Sequence, residues 1–323
     1  MISEGVPEIG NTPLIMVDGI YAKLECVNPT GSIKDRMVKY IIDENERLGL
    51  LKKGMTVIEA TSGNSGISLS YYARLKGYDV VVVMPESMTD ERKNLIRGLG
   101  AKLILSSSEG SFSEAVRIRD ELSKDGGYFN TNQFSNYQNV ECHYRTTGKE
   151  IINQLWALSL VPDAFVAGVG TGGTLMGVGK AFRGVNPEVR IVAVEPEESA
   201  VMSRGKPGPH EIQGIGDGFV PDIVKGKDDE LDPLIDEVVH VKSEDAKDAS
   251  KLIAEKHGYC VGVSSGANFL AAKELSHTHD TVVTVFPDAF NRYLSMGLGP
   301  SRKCRFSTGA CETFARVRPV PSM

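Results

Sequence analysis

The sequence predicts an α/β protein made of two three-layer α/β/α domains, each with a mostly parallel central sheet. Short apolar runs alternate with helical segments of about 10–15 residues along most of the chain. Turns rich in Gly, Ser and Thr join several of these runs to the helix that follows. Parallel strands need a crossover of about this length, so the alternation favours parallel sheets. The length of 323 residues suggests about two domains.

The first series of elements lies in the N-terminal half. Apolar runs predict strands at 55–60, 78–85 and 101–106, and periodic segments predict helices at 67–77, 89–100 and 111–127. Thr89 and Asp90 are suitable residues to cap the second of these helices, which ends on glycines. We also expect a helix after Lys34, which follows a Pro-Thr-Gly-Ser turn.

The second series begins near Gly148. It comprises a helix at 149–156, a strand at 164–170, a helix ending near residue 183, a strand at 189–196, a helix at 243–258, a turn at 263–267, another helix and a strand at 281–288. The boundary between the two units therefore falls between residues 133 and 148. We expect a smaller domain at 38–147 and a larger one formed by 1–37 and 148–300, with Lys34 near their junction. Residues 301–323 form an atypical tail, which we expect outside the core.

Composition excludes several classes of function. The net charge of −6 and a pI near 5.6 give no basic footprint for nucleic acid. No apolar stretch approaches the roughly 18 residues of a membrane span, and the N-terminal residues do not have the pattern of a signal peptide. The five cysteines, without a C-x-x-C pair, indicate thiols in a reducing cytoplasm. No spacing of cysteines indicates a metal site.

Three turns have the composition of anion-binding loops. They are "TSGNSG" at 61–66, "GVGTGGT" at 168–174 and "SSGA" at 264–267, and each is expected to open a helix. Unpaired amides and the helix dipole attract anions there, and glycine lets a ligand approach the backbone. Such turns also simply cap helices, so one loop alone decides little. Three of them, together with Lys34, favour a binding site at the carboxyl ends of the strands.

The second turn has an alternative interpretation. Gly168, Gly170 and Gly173 spell G-x-G-x-x-G between a strand and a helix, and Glu195 ends the next strand 27 residues after Gly168. This is close to the dinucleotide-binding pattern of an NAD-dependent oxidoreductase, with Glu195 on a ribose hydroxyl. The motif starts halfway along the chain, however, and Pro196 follows Glu195 directly. This interpretation also gives no role to Lys34.

Taken together, the motifs resemble the cysteine synthases, the O-acetylserine sulfhydrylases among the fold type II pyridoxal-phosphate enzymes. The segments that carry the resemblance, from about residue 10 to 295, are "GNTPLI", "KLECVNPTGSIKDR", "EATSGNSGISLS", "NQFSN", "GVGTGGTLMGVGK", "VAVEP", "EIQGIGDGFVP", "VGVSSGA" and "VFPDAFNRYLS". The resemblance implies a tryptophan synthase β-like fold and pyridoxal 5′-phosphate as the cofactor.

The resemblance also implies roles for individual residues. Lys34 matches the lysine that forms a Schiff base with the cofactor and acts as the catalytic base, which burial would favour by lowering its pKa. The remaining positions match groups that bind the cofactor or the substrate. Cofactor-binding matches are Asn64, Gly170, Thr171, Gly172, Gly173, Thr174 and Ser264; substrate-binding matches are Thr61, Ser62, Gly63, Ser65, Gln133 and Gly214. For Gln133, an amide that merely fixes a loop is the alternative.

The reaction implied is β-replacement. O-acetyl-L-serine and sulfide would give L-cysteine and acetate through an α-aminoacrylate, and a neutral Ser264 at the ring nitrogen would favour elimination at Cβ. O-phosphoserine or cystathionine β-synthase-type substrates are alternatives, although Gln213 stands where a phosphoserine enzyme is expected to have arginine. A non-catalytic relative is a further alternative, because Ala289, Phe290 and Asn291 depart from the family's glycine-containing segment. The resemblance further implies a cytoplasmic homodimer and a potential serine acetyltransferase partner.

Overall fold

The computed structural model describes residues 8–107 and 112–305. Its strands are β1 Leu14–Val17, β2 Ile20–Leu24, β3 Thr56–Ala60, β4 Asp79–Pro85, β5 Lys102–Ser106, β6 Tyr128–Asn130, β7 Ala164–Gly168, β8 Arg190–Pro196, β9 Glu237–Val241 and β10 Val282–Phe286. Its helices are α1 Lys34–Arg47, α2 Asn64–Leu75, α3 Asp90–Gly98, α4 Phe112–Ser123, α5 Gln138–His143, α6 Lys149–Trp156, α7 Gly173–Arg183, α8 Val201–Arg204, α9 Ser243–His257 and α10 Val263–Leu275. A π-helical turn, Tyr144–Gly148, joins α5 to α6.

The strands form two sheets. One has six strands in the order β1-β2-β10-β7-β8-β9, and the other has four in the order β5-β4-β3-β6. Every pairing is parallel except that of β1 with β2. Alternate residues of each central strand enter different apolar clusters, as for Phe165 and Val166 of β7. Both sheets are therefore covered on two faces, and the predicted fold class is confirmed.

The two sheets occupy different parts of the chain. The strands of the four-stranded sheet lie between residues 56 and 130, whereas those of the six-stranded sheet lie between 14 and 24 and between 164 and 286. Met37 and Val38 of α1 pack in the same cluster as Val57 and Val80, so the packing of the smaller sheet begins within the first turn of α1. The division into 38–147 and 1–37 with 148–300 stays a proposal.

The turn predicted at 263–267 is wrong. Val263–Leu275 form α10, so this segment is helical from its first residue. The small residues there serve packing: a Cβ at Gly266 would lie 1.9 Å from the carbonyl oxygen of Ala246 in α9. Ser264 consequently occupies the first turn of a helix. The loop at 61–66 is likewise shorter than expected, because α2 begins at Asn64.

The tail differs from its prediction where it is described. Cys304 is buried in the same apolar cluster as Phe286, and the Arg305 amide donates to the Gly258 carbonyl over 2.8 Å. These first residues therefore pack on the larger sheet's core rather than outside it. The remainder of the predicted tail, 306–323, lies outside the described residues. Within the described ranges, no helix is long and apolar enough to cross a membrane.

Candidate active site

A cavity lies where strands of both sheets end and several helices begin. Residues after β3, β6, β7 and β10 contribute to its wall, together with the first turns of α1, α2, α7 and α10. The predicted residues that line it are Lys34, Thr61, Ser62, Asn64, Ser65, Gln133, Gly170, Thr171, Gly172, Thr174, Gly214 and Ser264. Gly63 and Gly173 lie between lining residues and do not line the cavity themselves. Twelve of fourteen predicted positions therefore converge, from segments far apart in the chain.

Lys34 is the first residue of α1 and projects into this cavity. Among the described residues, no hydrogen bond or ion pair engages its amine. Burial lowers the pKa of Lys34, while the carboxylates of Asp217 and Asp288 raise it in part. A desolvated lysine without a paired carboxylate has the properties of a nucleophilic amine, because a larger fraction is neutral near pH 7.

The turn before α7 is shaped to hold an anion. Gly172 has a left-handed backbone (φ 84°) and precedes the first residue of the helix. A Cβ at Gly170 would lie 2.3 Å from the carbonyl oxygen of Gly214, so only glycine fits there. The Thr171 hydroxyl accepts a hydrogen bond of 2.9 Å from Asn139. The Thr174 hydroxyl lies 3.4 Å from Nε2 of His143, whose pKa burial lowers well below its usual value.

The turn before α2 rests on a buried arginine. Arg92 of α3 is fully buried and donates from Nη1 to the Ser62 carbonyl over 2.8 Å. Gly63 has φ 146°, and a Cβ there would lie 2.5 Å from Cδ of Arg92. The Thr61 hydroxyl accepts from the Gly63 amide over 3.0 Å. The guanidinium of Arg92 thus fixes the turn by its bond to the Ser62 carbonyl, and the Arg92 side chain can come this close because Gly63 has no side chain.

Gln133 fixes the same turn from the side. Its Nε2 donates to the Ala60 carbonyl over 2.9 Å, and its Oε1 accepts from the Ser65 hydroxyl over 2.5 Å. Its backbone amide donates to the buried carboxylate of Glu59 over 2.8 Å. The loop-fixing interpretation therefore applies to Gln133 in this state, and its contact with a substrate carboxylate stays a prediction.

Asn64, which lines the cavity, belongs to a chain of buried polar groups. Oδ2 of Asp288 accepts from the Asn64 amide and from the Tyr293 hydroxyl, each over 2.7 Å. The Tyr293 hydroxyl in turn accepts from Nη2 of Arg92 over 2.8 Å. Ala289 and Phe290 pack in the core and do not line the cavity. The unusual side chains at 289 and 290 therefore do not fill the proposed cofactor space.

The cavity residues fit pyridoxal phosphate. The start of α7 offers backbone amides and two threonine hydroxyls for a phosphate, and Lys34 offers an amine for the aldehyde. Oδ1 of Asn64 is buried and has no hydrogen-bond partner among the described residues, as expected of a group that awaits a polar ligand. A family model described as pyridoxal-phosphate dependent enzyme matches residues 6–288.

The chain belongs to this family.

Among relatives of this pyridoxal-phosphate dependent enzyme, a cysteine synthase of Staphylococcus aureus is 43% identical over 302 residues, 90% of this chain and 94% of that protein. A solved hydrogen sulfide-producing enzyme of Fusobacterium nucleatum has a TM-score of 0.81 and 43% identity, covering 86% of this chain and 83% of that one. An O-acetylserine dependent cystathionine β-synthase of Helicobacter pylori has a TM-score of 0.83 and 36% identity, covering 90% and 96%. The resemblance to cysteine synthases and the cofactor are therefore confirmed.

The dinucleotide interpretation is wrong for this pyridoxal-phosphate dependent enzyme. Glu195 is fully buried and does not line the cavity. Its carboxylate accepts from the Met202 amide over 2.8 Å and from the Ser203 hydroxyl over 2.6 Å, at the start of α8. The carboxylate is consequently committed to the protein and is not available to bind a ribose.

Three charged residues in or next to the site were not assigned a role from the sequence. Asp217 and Asp288 lie inside segments that carry the family resemblance, and a carboxylate among the glycines at 214–218 was a visible signal. Arg92 lay within a predicted helix, and nothing local distinguishes it from a surface arginine. Its burial follows from contacts with Ser62 and Tyr293, which come from distant parts of the chain.

Proposed function

We propose that this enzyme forms L-cysteine and acetate from O-acetyl-L-serine and sulfide by β-replacement. The observation that supports it best is the position of Lys34 at a helix start in the cavity, where three further helices also begin. Its amine forms no ion pair with any residue that the structure describes. The S. aureus relative carries the name cysteine synthase, and the H. pylori relative is O-acetylserine dependent by name.

Each group of residues has a distinct task in this proposal. Amides and hydroxyls at 170–174 bind the cofactor phosphate, Asn64 and Ser264 orient the ring, and Lys34 holds the cofactor covalently. Bound pyridoxal phosphate supplies an electron-withdrawing ring that stabilises negative charge at Cα. The turn at 61–65 binds the substrate carboxylate with the unpaired amides that begin α2. Lys34 takes the proton from Cα and returns it after the nucleophile has added to Cβ.

The leaving group and the nucleophile are the finer part of the proposal. Over the described ranges, Lys34 is the only cationic side chain lining the cavity, and position 213 is glutamine. A dianionic phosphoserine side chain would therefore find no arginine, so the neutral acetyl ester is favoured. Cystathionine formation from the same activated serine is the second candidate, on the name of the H. pylori relative.

The test uses the enzyme reconstituted with pyridoxal phosphate. We expect the enzyme to form L-cysteine from O-acetyl-L-serine and sulfide. This reaction should be faster than the reaction of O-phosphoserine with sulfide, and faster than the reaction of O-acetyl-L-serine with homocysteine. Borohydride reduction and peptide mapping should leave the cofactor on Lys34, and Lys39→Ala serves as the matched control on the same helix. A preparation that stays colourless after reconstitution, or a label on another lysine, would contradict the proposal.

The oligomeric state and the cellular location of the enzyme are inferred from the resemblance alone. We propose a homodimer in the cytoplasm, with a serine acetyltransferase as a potential partner. Analytical sedimentation of the purified enzyme alone checks the homodimer. Sedimentation of its mixture with such an acetyltransferase checks the complex.

A further inference from the structure

A closed ring of hydrogen bonds passes through the turn at 61–65, which precedes and begins α2. Nη1 of Arg92 donates to the Ser62 carbonyl over 2.8 Å, and Nη2 donates to the Tyr293 hydroxyl over 2.8 Å. That hydroxyl donates to Oδ2 of Asp288, which also accepts from the Asn64 amide, each over 2.7 Å. Ser62 and Asn64 belong to the same turn, so the ring holds this turn at two points.

The Tyr293 hydroxyl links the two halves of this ring. Tyr293 is fully buried, and burial together with the charge of Asp288 raises its pKa far above the ordinary value of a phenol. The hydroxyl therefore keeps its proton across the physiological pH range. Although the Gln213 carbonyl lies 3.3 Å away, the shorter contact of 2.7 Å assigns that proton to Asp288. The oxygen is left to accept from Arg92.

The Tyr293 hydroxyl also keeps two opposite charges apart. Nη2 of Arg92 and Oδ2 of Asp288 lie 3.9 Å from each other, and both side chains are buried. In a buried setting a guanidinium and a carboxylate attract each other strongly and favour direct contact. Without the hydroxyl between them, the guanidinium would move toward Asp288 and away from the Ser62 carbonyl. The hydroxyl therefore determines where Arg92 lies relative to the turn.

The position of Arg92 in turn sets the direction of donors at the cavity. The carbonyl of a trans peptide and the amide that follows it point in opposite directions, so a fixed Ser62 carbonyl also fixes the Gly63 amide. That amide donates to the Thr61 hydroxyl over 3.0 Å. Because the Thr61 oxygen accepts this bond, the hydroxyl can direct its own proton at a carboxylate in the cavity, which Thr61 lines.

We propose that Tyr293 is a positioning residue for amino-acid binding, and that its hydroxyl holds the turn at 61–65 in shape through Arg92 and Asp288. The inference rests on the proposed function, in which this turn binds the substrate carboxylate. Tyr293 does not line the cavity, so it acts through the groups that it orients. Binding of any amino acid with a free carboxylate should therefore depend on one buried hydroxyl outside the cavity.

A purely structural role for this hydroxyl makes a different prediction. Tyr293 belongs to the apolar core, and in that case loss of its hydrogen bonds would lower Tm without any change in amino-acid binding. Tyr78→Phe is the matched control, because Tyr78 is buried and its hydroxyl donates to Glu46 over 2.7 Å, outside the ring. Tyr293→Phe and Tyr78→Phe each remove one hydroxyl bonded to a carboxylate and leave the aromatic ring in place.

The experiment measures binding of L-alanine to the enzyme reconstituted with pyridoxal phosphate, from the change in absorbance of the bound cofactor. L-Alanine has the carboxylate and the amine of the substrate but no leaving group. In Tyr293→Phe we expect the half-saturating concentration of L-alanine and KM for O-acetyl-L-serine each to rise about 10-fold, with kcat changed less than about threefold. In Tyr78→Phe both values should stay within about twofold of wild type, because distant sites act independently. An unchanged L-alanine titration in Tyr293→Phe would overturn the inference, whatever the change in Tm.

A second pair of variants tests the ring itself. Lysine lacks the fork of donors with which Arg92 bonds Ser62 and Tyr293 at once, so Arg92→Lys should also weaken L-alanine binding. Because both substitutions break one ring, the double variant should bind L-alanine about as well as the weaker single variant. Effects that multiply would show that the two residues act separately and would overturn the inference. Wild-type enzyme that binds L-alanine but does not turn over O-acetyl-L-serine would overturn the proposed reaction, while the L-alanine comparison would still decide this inference.

Discussion

Lys34 and Arg36 are two residues apart in the first turn of α1, yet their cations have opposite surroundings. Lys34 enters the cavity without an ion pair in the described structure, and burial lowers its pKa. The buried Arg36 donates from Nε to the buried Glu25 over 2.7 Å and from Nη1 to the partly exposed Glu150 over 2.6 Å. Burial alone would lower the pKa of Arg36, but these two carboxylates raise it.

The difference separates function from stability within a single turn. A cation that is desolvated without compensation costs stability but gains reactivity, because its neutral form becomes accessible. A cation that is desolvated with complete pairing is fixed in charge and position. The Thr12 hydroxyl also accepts from Arg36, and Lys23 pairs with Glu150 over 2.9 Å, so α1 is anchored on one side while it presents Lys34 on the other.

The largest effect should come from Lys34→Ala. Loss of the covalent attachment and of the base at Cα should lower kcat about 10⁴-fold, equivalent to about 5.4 kcal/mol. The free energy of unfolding of the cofactor-free protein should not fall, because the lysine forms no ion pair within residues 8–107 and 112–305. Steady-state cysteine formation and urea unfolding measure the two quantities. Retention of a tenth of the activity, or clear destabilisation, would break the comparison.

Arg36→Met should show the reverse pattern. Glu25 and Glu150 would keep their charges in a buried site without their main partner, which typically costs about 4 kcal/mol. Urea unfolding of the cofactor-free protein measures this loss. Adding Glu25→Gln should recover part of it, since the double variant removes one of the unpaired charges. If the double variant is less stable than Arg36→Met, the pairing is not the source of the effect.

Glu150→Gln tests the same cluster through pH. Burial raises the pKa of Glu150, but Arg36 and Lys23 together lower it to about 2. A lowered pKa means that the stabilisation is present above the unfolded value of 4.5 and is lost as the pH falls toward 2. We expect Glu150→Gln to cost about 2 kcal/mol at pH 7, after allowance for partial exposure, and the difference from wild type to disappear in acid.

Exposed Glu188 provides the control for this pH series. Its side chain is exposed, and Glu188→Gln should change stability by less than about 0.5 kcal/mol at every pH. Thermal unfolding from pH 7 to pH 2 follows both variants. A Glu150→Gln difference that is independent of pH would show that shape, rather than charge, determines the effect.

The features that could be predicted from the sequence are those whose residues are contiguous in the chain. Lys34 was found because its turn and helix start are contiguous, and β7 and α7 because apolar runs and glycines mark them. The β1–β2 hairpin was missed although Asp18 and Gly19, both with positive φ, occupy its turn, and Asp-Gly is a strong hairpin signal. That signal is weak here, because each strand is only four or five residues long.

What could not be predicted depends on contacts between distant segments. β10 enters the sheet between β2 and β7, so Val285 and Pro287 at its end reach the cavity that Lys34 also lines. Arg92 meets Tyr293 across 201 residues of sequence, and neither position has an unusual neighbour in the chain. The pattern at 263–267 was misinterpreted because glycine and serine serve helix packing as well as turns. Burial, and with it the role of a charge, is set by the tertiary fold.

Lys39 extends the comparison to a third cation of α1 and should show the smallest effect. Its amine donates to Asp43 over 2.6 Å at an (i, i+4) spacing, and 45% of its side chain is exposed to solvent. Water competes for both charges, and Lys76 keeps Asp43 paired when Lys39 is removed. Lys39→Gln should therefore cost about 0.3–0.5 kcal/mol, decreasing with added salt, with cysteine formation unchanged. A cost comparable to that of Arg36→Met would mean that burial does not determine what a charge on this helix contributes, since exposure is the main difference between the two sites.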